Sequence, residues 1–295
     1  MNKKFGYVRV AAVVPELRVA NPIFNTDVIL KEMDVLEGKG VQIALFPELS
    51  LTGYTCGDLF LQDVLLEKAK DSLIKLAHAT QDKNIYVIVG LPFLVGNELY
   101  NCAAVVGRGH ILGIVPKTYI PNYQEFYEAR WFSSGAHLPM TEVIIENEVV
   151  PIGRDLLFQD TEKNAITFGI EICEDAWAPN SPSTHLSLSG ATMIFNLSAS
   201  NEVIGKYEYR KNLLKMLSSK NICGYVYASS GVNESSSDLV FSGFAGIFEN
   251  GTLLRENDRF SFETNHIIED VDVERIMSDR RKNKSFFGQN TQVSR

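Results

Sequence analysis

The sequence Ala165-Ile166-Thr167-Phe168-Gly169-Ile170-Glu171-Ile172-Cys173-Glu174-Asp175 places a cysteine where an apolar run gives way to acidic residues. Residues 165–172 are typical of a buried strand. A structural cysteine usually lies within such a run, because it packs like a small hydrophobic residue. A cysteine at the end of the run instead occupies the place where open α/β sheets carry their active sites. On these residues alone, an inert packed thiol and a reactive thiol are about equally favoured.

Two other reactive side chains follow apolar runs in the same way. Glu48 comes after residues 41–46, and Lys117 comes after residues 110–115. A thiol with a pKa of ~8.5 is only a few per cent ionised at neutral pH, so it needs a base, and a carboxylate shielded from water can serve. An ammonium near the reacting carbonyl can hold the oxyanion that forms. Taken singly, Glu48 and Lys117 are more often structural or solvated, and the spacing alone does not bring them together.

Short apolar runs alternate with helical patterns along most of the chain. Strands are predicted at residues 8–14, 41–46, 85–90, 102–106, 110–115, 165–172, 191–197, 224–228 and 242–248. Helices are predicted from Asn25-Thr26-Asp27 to about residue 38, and near residues 61–80, 183–189 and 207–221. This rhythm continues to about residue 275 without a Pro/Ser-rich linker, which favours one α/β domain.

Two segments do not fit this rhythm. Residues 143–164 hold short apolar pieces with polar breaks, and we interpret them as a small excursion near a sheet edge. From Arg280 onward Lys, Asn, Ser and Gln dominate, which is typical of a linker or a fraying tail.

The composition excludes several classes of function. The 295 residues are 45% hydrophobic and 22% charged, close to the average for a globular protein. The net charge of −8 argues against a nucleic-acid surface, which needs a basic face. Four widely spaced cysteines and five histidines without ligand spacing predict no metal site and no disulfide framework. No apolar stretch approaches the ~20 residues that span a bilayer, and the first residues lack a signal-peptide core, so we predict no membrane association and a cytoplasmic location.

The three strand ends resemble a known family. Phe46-Pro47-Glu48-Leu49, Pro116-Lys117 and Ile172-Cys173-Glu174-Asp175 are similar to the Glu-Lys-Cys motifs of the nitrilase (carbon-nitrogen hydrolase) superfamily, in that family's order. Over residues 5–275 the chain most resembles the N-terminal glutaminase domain of glutamine-dependent NAD⁺ synthetases. The segments that carry this closer resemblance are Leu51-Thr52-Gly53-Tyr54, Gly57-Asp58-Leu59-Phe60, Lys117-Thr118-Tyr119-Ile120-Pro121-Asn122-Tyr123, Glu125-Phe126-Tyr127-Glu128, Glu171-Ile172-Cys173-Glu174-Asp175-Ala176-Trp177 and Asn196-Leu197-Ser198-Ala199-Ser200.

The resemblance implies a fold and a mechanism. The fold is α/β, a four-layer α-β-β-α sandwich (nitrilase-like) over residues 1–279, followed by a linker at 280–295 toward a C-terminal synthetase domain. Glu48 would deprotonate Cys173, and the thiolate would attack the γ-carboxamide of glutamine. Lys117 and the backbone N–H of Glu174 would hold the oxyanion, and Glu128 would orient Lys117 or the nucleophile. Ammonia would leave, and water activated by Glu48 would hydrolyse the thioester.

The resemblance also implies ligands and partners. Its substrate-binding residues correspond to Tyr54, Tyr123, Phe126, Glu128, Glu174, Ser200 and Lys206. Glu174 could bind the α-ammonium, and Lys206 with the Ser200 hydroxyl could bind the α-carboxylate. The glutaminase step needs no cofactor and no metal, whereas ATP and Mg²⁺ belong to the synthetase domain, whose Ser-Gly-Gly-x-Asp-Ser loop has no match here. The expected partners are glutamine, the synthetase domain that receives ammonia, and further copies of the chain in a homo-oligomer.

Two other functions stay open. A stand-alone nitrilase-type amidase would act on another small amide, such as an N-carbamoyl or ω-amide compound. A non-catalytic assembly module would keep the fold without the chemistry. Glu171 is charged within an apolar run, and the sequence does not decide whether it pairs with a cation or lies in the site.

Overall fold

Two β-sheets form the centre of the molecule in a computed structural model that describes residues 6–160 and 166–287. The strands are β1 Tyr7–Val14, β2 Ile43–Leu45, β3 Tyr86–Val95, β4 Glu98–Gly107, β5 His110–Pro116, β6 Asn122–Tyr123, β7 Phe126–Tyr127, β8 Thr141–Ile145, β9 Glu148–Ile152, β10 Phe158–Gln159, β11 Thr167–Ile172, β12 Met193–Ser198, β13 Gly224–Ser229, β14 Ala245–Glu249, β15 Thr252–Glu256 and β16 Asn265–Asp272. The first sheet has the order β16-β1-β2-β3-β4-β5-β9-β8, and the second has the order β10-β11-β12-β13-β14-β15. Strands β6 and β7 form a separate two-stranded ribbon.

Helices cover the outer faces of both sheets. The helices are α1 Pro22–Gly38, α2 Asp63–Ala79, α3 Pro182–Leu188, α4 Lys206–Lys220, α5 Val273–Lys282 and α6 Lys284–Phe287. Ile29 of α1 and Leu73 of α2 pack on the outer face of the first sheet. Leu186 of α3 and Leu214 of α4 pack on the second sheet. A third apolar cluster, which includes Val10, Val105, Ile170, Phe195 and Val226, fills the space between the sheets. The predicted four-layer α-β-β-α sandwich is confirmed.

The strand directions bring three chain segments to one edge. β1, β2 and β3 are parallel, and β5 runs in the same direction as β3 because β4 lies antiparallel to both. The carboxyl ends of β2 and β5 therefore point to the same edge of the first sheet. In the second sheet β11, β12 and β13 are parallel. Since the two sheets pack face to face, residues after β2, β5 and β11 can share one cavity.

The start of α1 differs from the prediction. The helix begins at Pro22, and Asn21 caps it by accepting a hydrogen bond from the N–H of Phe24 (3.1 Å). Asn25, predicted to start the helix, is buried within it. Its side chain accepts from the N–H of Arg18 (2.7 Å) and donates to the carbonyl oxygen of Leu51 (3.1 Å). A residue type that favours helix starts is used here to hold two loops.

The two irregular segments have different outcomes. β8 and β9 form a hairpin at the edge of the first sheet, and β10 is an edge strand of the second, which confirms the predicted excursion near an edge. The last residues of that excursion, 161–164, lie outside the described residues, as does Ala165 of the predicted strand.

The expected fraying from Arg280 was wrong for the residues that complete α5. Arg280 is buried, and its guanidinium donates to the carbonyl oxygens of Ile222 (2.9 Å), Ala191 (2.6 Å) and Asn221 (3.0 Å). These carbonyls lie in the connections that lead into β12 and β13, so the end of α5 is part of the packed domain. The division between domain and linker stays a prediction, and residues 288–295 lie outside the described part of the chain. Within residues 6–160 and 166–287, no helix is both long enough and apolar enough to cross a membrane.

Candidate active site

Cys173 lies at the sharp turn that follows β11. Its backbone φ is +46°, a left-handed conformation that side-chain-bearing residues rarely adopt and that is often found at active sites. A short 3₁₀ turn, Cys173–Ala176, starts at this residue. The backbone of Ala199, just past β12, acts to lower the pKa of this thiol. Burial raises the thiol pKa, the nearby Glu48 raises it further and the Lys117 ammonium opposes both, so the resting thiol is neutral and needs a base.

Glu48, Lys117 and Glu128 form a buried charged cluster beside this thiol. Lys117 Nζ lies 2.6 Å from Glu48 Oε1 and 2.8 and 2.9 Å from the two carboxylate oxygens of Glu128. Asn101 lies between the carboxylates and donates to Glu48 Oε1 (2.7 Å) and to Glu128 Oε2 (3.4 Å). All four side chains are buried. The cluster thus joins Asn101 of β4 with residues that follow β2, β5 and β7 along the chain.

The two oxygens of Glu48 have different surroundings. Oε1 accepts from both Lys117 and Asn101. Oε2 is buried and has no hydrogen-bond partner among the described residues. A buried carboxylate oxygen without a hydrogen-bond donor is costly unless a proton or a polar group reaches it. Oε2 is therefore the atom of Glu48 that is available to accept the thiol proton.

The protonation states follow from burial and charge together. Burial acts to lower the pKa of Lys117, but the charges of Glu128 and Glu48 outweigh it and raise that pKa well above its ordinary value. Burial raises the pKa of Glu128, against the opposing effect of Lys117, and Glu48 adds to the increase. Lys117 is therefore cationic, and it can stabilise negative charge on a reacting carbonyl oxygen.

A second group of side chains lies outward from the cluster. Tyr123 donates to both carboxylate oxygens of Glu174 (2.9 Å each). Lys206 Nζ lies 5.8 Å from the ring centre of Phe126 and 5.3 Å from that of Trp177, within the range of cation–π attraction. Burial raises the pKa of Glu174, which the hydrogen bond from Tyr123 opposes, and burial lowers the pKa of Lys206.

Comparison with known proteins identifies the family. Residues 23–281 match the carbon-nitrogen hydrolase family. The chain belongs to this family. It is 37% identical over 281 residues to the glutamine-dependent NAD(+) synthetase of Mycobacterium leprae, covering 95% of this chain and 41% of that protein. It is 31% identical over 268 residues to the human glutamine-dependent NAD(+) synthetase, covering 87% of this chain and 37% of that protein. The chain therefore spans about two fifths of the length of these curated relatives.

Solved structures agree with this assignment. The crystal structure of a glutamine-dependent NAD(+) synthetase from Cytophaga hutchinsonii superposes with a TM-score of 0.81 at 30% identity, covering 90% of this chain and 43% of that one. A mutant of the Nesterenkonia AN1 amidase from the nitrilase superfamily superposes with a TM-score of 0.71 at 20% identity over 93% of this chain and 94% of that one. At that identity the amidase shows the fold alone.

The structure of this carbon-nitrogen hydrolase brings the predicted catalytic residues together. Glu48, Lys117 and Glu128 share direct ion pairs, and Cys173 faces their charges. Tyr54, predicted to contact substrate, is buried, and its hydroxyl donates to Glu128 (2.8 Å), so that hydroxyl is already used inside the cluster.

The structure also gives the contacts of Lys206, Ser200 and Glu171. The Lys206 ammonium donates to Asn201 Oδ1, and Ser200 is buried with its N–H donating to Ser229 Oγ (3.1 Å), so the joint binding of a substrate carboxylate by Lys206 and the Ser200 hydroxyl stays a prediction. Glu171 accepts from the N–H of Ser183 (2.8 Å) and from the Tyr225 hydroxyl on the outer side of the second sheet. Neither of these two contacts is with a cation, and neither involves Glu48, Lys117 or Cys173.

Sequence reasoning missed several residues of the site. Asn101, which contacts both carboxylates, is the one polar residue in the run Leu99-Tyr100-Asn101-Cys102-Ala103-Ala104-Val105-Val106, and that isolation is the signal that could have revealed it. Asn201 and Trp177 around Lys206 gave no comparable signal, because their roles depend on how loops meet. Among the described residues there is no group of three or more His, Cys, Asp or Glu side chains that could hold a metal ion.

Proposed function

We propose that this chain hydrolyses the side-chain amide of glutamine and releases ammonia. The observation that carries the proposal is the unpartnered Oε2 of Glu48 in the buried cluster beside a cysteine on a strained turn. Glu48 Oε2 takes the proton of Cys173, and the sulfur attacks the amide carbon. Negative charge develops on the former carbonyl oxygen, where Lys117 stabilises it. The proton on Glu48 then moves to the departing nitrogen, and ammonia leaves a thioester.

The second half of the reaction uses the same groups. Glu48, ionised again after ammonia has left, takes a proton from water, and the hydroxyl oxygen attacks the thioester carbon. Lys117 stabilises the new oxyanion. The C–S bond then breaks, the sulfur regains the proton from Glu48, and the acid product leaves. The atoms balance as one amide and one water giving one carboxylic acid and one ammonia.

The charges around the outer group favour an amino acid as substrate. The Glu174 carboxylate and the Lys206 ammonium carry the opposite charges to those of an α-amino acid's ammonium and carboxylate. The aromatic side chains of Tyr123 and Phe126 lie beside them. Relatives with at least 30% identity are named glutamine-dependent NAD(+) synthetases, which supports glutamine as the amino acid. We further propose a cytoplasmic homo-oligomer in which a synthetase domain receives the ammonia and uses ATP and Mg²⁺.

Ammonia release from a panel of amides tests this function. We expect the highest kcat/KM with L-glutamine. Glutaramic acid lacks only the α-ammonium, and it should lose roughly 10–100-fold, the value of one or two charge-assisted hydrogen bonds. A preference for N-carbamoyl compounds or simple ω-amides would show a stand-alone amidase instead. The absence of ammonia release from every amide, with no effect of Cys173→Ala, would indicate a non-catalytic module.

A further inference from the structure

The carboxylate of Asp175 joins two segments that carry different catalytic groups. Asp175 is buried, with 1% of its surface exposed, in the turn that starts at Cys173. Its Oδ1 accepts from the backbone N–H groups of Tyr119 (2.8 Å) and Thr118 (3.1 Å), and its Oδ2 accepts from the N–H of Ile172 (2.9 Å). All three of these donors are backbone amides, so the carboxylate fixes main chain rather than side chains.

The three amides belong to both sheets. Ile172 is the last residue of β11 in the second sheet and directly precedes Cys173. Thr118 and Tyr119 directly follow Lys117, which comes after β5 in the first sheet. Among the described residues, no strand of the first sheet is hydrogen-bonded to a strand of the second, so the position of Lys117 relative to Cys173 depends on contacts such as this one.

The remaining hydrogen bonds of the Lys117 backbone come from β4 and from the short 3₁₀ turn Gly135–His137. Its N–H donates to the carbonyl oxygen of Asn101 (2.8 Å), and its carbonyl accepts from the N–H of Gly135 (2.8 Å). These bonds hold Lys117 relative to β4 and to the Gly135 turn, and neither of them involves the segment that carries the nucleophile. Asp175 supplies that link through the next two residues along the chain.

We infer that Asp175 is a positioning residue that holds the Lys117 ammonium in register with Cys173. It does so without contacting the reacting atoms. Placement within about 1 Å matters, because a displacement of that size costs roughly 100-fold in rate. The inference rests on the proposed roles of Lys117 and Cys173, and it is independent of which amide is hydrolysed.

The ionisation of Asp175 is sensitive to its surroundings. Burial raises its pKa to about 7 despite the hydrogen bonds from the N–H groups of Ile172 and Tyr119. The charge of Glu171 raises the pKa as well, and the charge of Lys117 lowers it. A protonated carboxyl group is a weaker acceptor for three amides. Acidification through this range should therefore loosen the link between the two segments.

The substitutions Asp175→Asn and Asp175→Glu test the inference. In Asp175→Asn, one acceptor oxygen is replaced by an NH₂ group that faces a backbone N–H, and Asp175→Glu keeps the charge but adds a methylene. We expect kcat to fall roughly 10–100-fold in each, with KM within about twofold. Alkylation of Cys173 by iodoacetamide, located by peptide mass, should also slow, because a displaced Lys117 no longer favours the thiolate. This second readout follows displacement of iodide by the thiol and does not depend on hydrolysis of an amide, so it separates a failure of this inference from a failure of the proposed function.

Glu249→Gln is the matched control. Glu249 is also a buried carboxylate that accepts from a backbone N–H, that of Asp272 (2.8 Å), and it lies at the end of β14. We expect this variant to lower stability while kcat and the alkylation rate stay unchanged. If either Asp175 variant folds and behaves like the Glu249 control, losing stability alone, Asp175 has a merely structural role and the inference is overturned.

Discussion

Replacing Lys117 by methionine tests whether the buried charges are balanced as the contacts indicate. Methionine keeps an unbranched stem of similar volume and removes the charge. The change leaves the buried carboxylates of Glu48 and Glu128 without their shared cation and joined only through the amide of Asn101 among these contacts. Removing one partner of a buried ion pair costs about 3–5 kcal/mol, and here two carboxylates lose the same cation. We expect the free energy of unfolding to fall by at least that amount at neutral pH.

A second substitution makes the prediction specific. Glu128→Gln alone removes one charge from a cluster of two anions and one cation, and it should cost about 1–3 kcal/mol through weaker hydrogen bonds. In the Lys117→Met background, the same change removes one of two repelling carboxylates, so it should restore about 1–3 kcal/mol. Glu128→Gln is thus destabilising in the native chain and stabilising in the variant.

Urea unfolding of the four proteins, followed by circular dichroism, measures this cycle. A further check is the pH dependence of Lys117→Met. Burial raises the pKa of Glu128, and the opposing effect of the Lys117 charge is lost in this variant, so stability should be greater near pH 5 and decline as pH rises toward 7. If the two substitutions are additive within about 0.5 kcal/mol, Lys117 does not balance Glu48 and Glu128 in the way described.

Other perturbations give distinct readouts. Cys173→Ala should reduce ammonia release to the uncatalysed level while the midpoint of urea unfolding changes little; residual turnover would exclude Cys173 as the nucleophile. Lys206→Met should raise KM for glutamine roughly 10–100-fold with kcat nearly retained, as for loss of a charge-assisted bond, and an unchanged KM would remove Lys206 from the binding site. Asn101→Leu should lower kcat roughly tenfold or more and leave KM unchanged, because the base loses one donor; an unchanged kcat would show that Lys117 alone orients it. The raised pKa of Asp175 predicts opposite pH trends for stability and for kcat. Between about pH 4 and 7 the free energy of unfolding should decline as pH rises, whereas kcat should increase through about pH 7. A kcat that is flat across this range would contradict the role given to the Asp175 carboxylate.

The positions of the proposed reacting groups were predictable from sequence because each follows an apolar run. Glu48, Lys117 and Cys173 stand just past β2, β5 and β11, and runs of that kind identify strands whatever the rest of the fold. The meeting of the three at one edge was not predictable from spacing, since it depends on β5 running in the direction of β3 and on the two sheets packing face to face. The family resemblance supplied that knowledge.

The errors have a common physical origin. Asn25 and Arg280 were interpreted from local composition, as a helix start and as part of a fraying tail, yet both side chains satisfy distant backbone groups. Asn101 and Asp175 were given no role for the same reason, because their partners lie on other strands and loops. Polar side chains that serve the backbone or one another across the fold carry no periodic signal in the sequence.

Labelling with a diazo-ketone analogue of glutamine tests the central claim most directly. The reagent needs an amino acid pocket, a nucleophile and a proton transfer in one place. We predict a single adduct on Cys173, prevented by excess glutamine and greatly slowed by Glu48→Gln. Adducts on the other buried thiols, Cys56, Cys102 or Cys223, or labelling of Cys173 at an undiminished rate in Glu48→Gln, would contradict the claim.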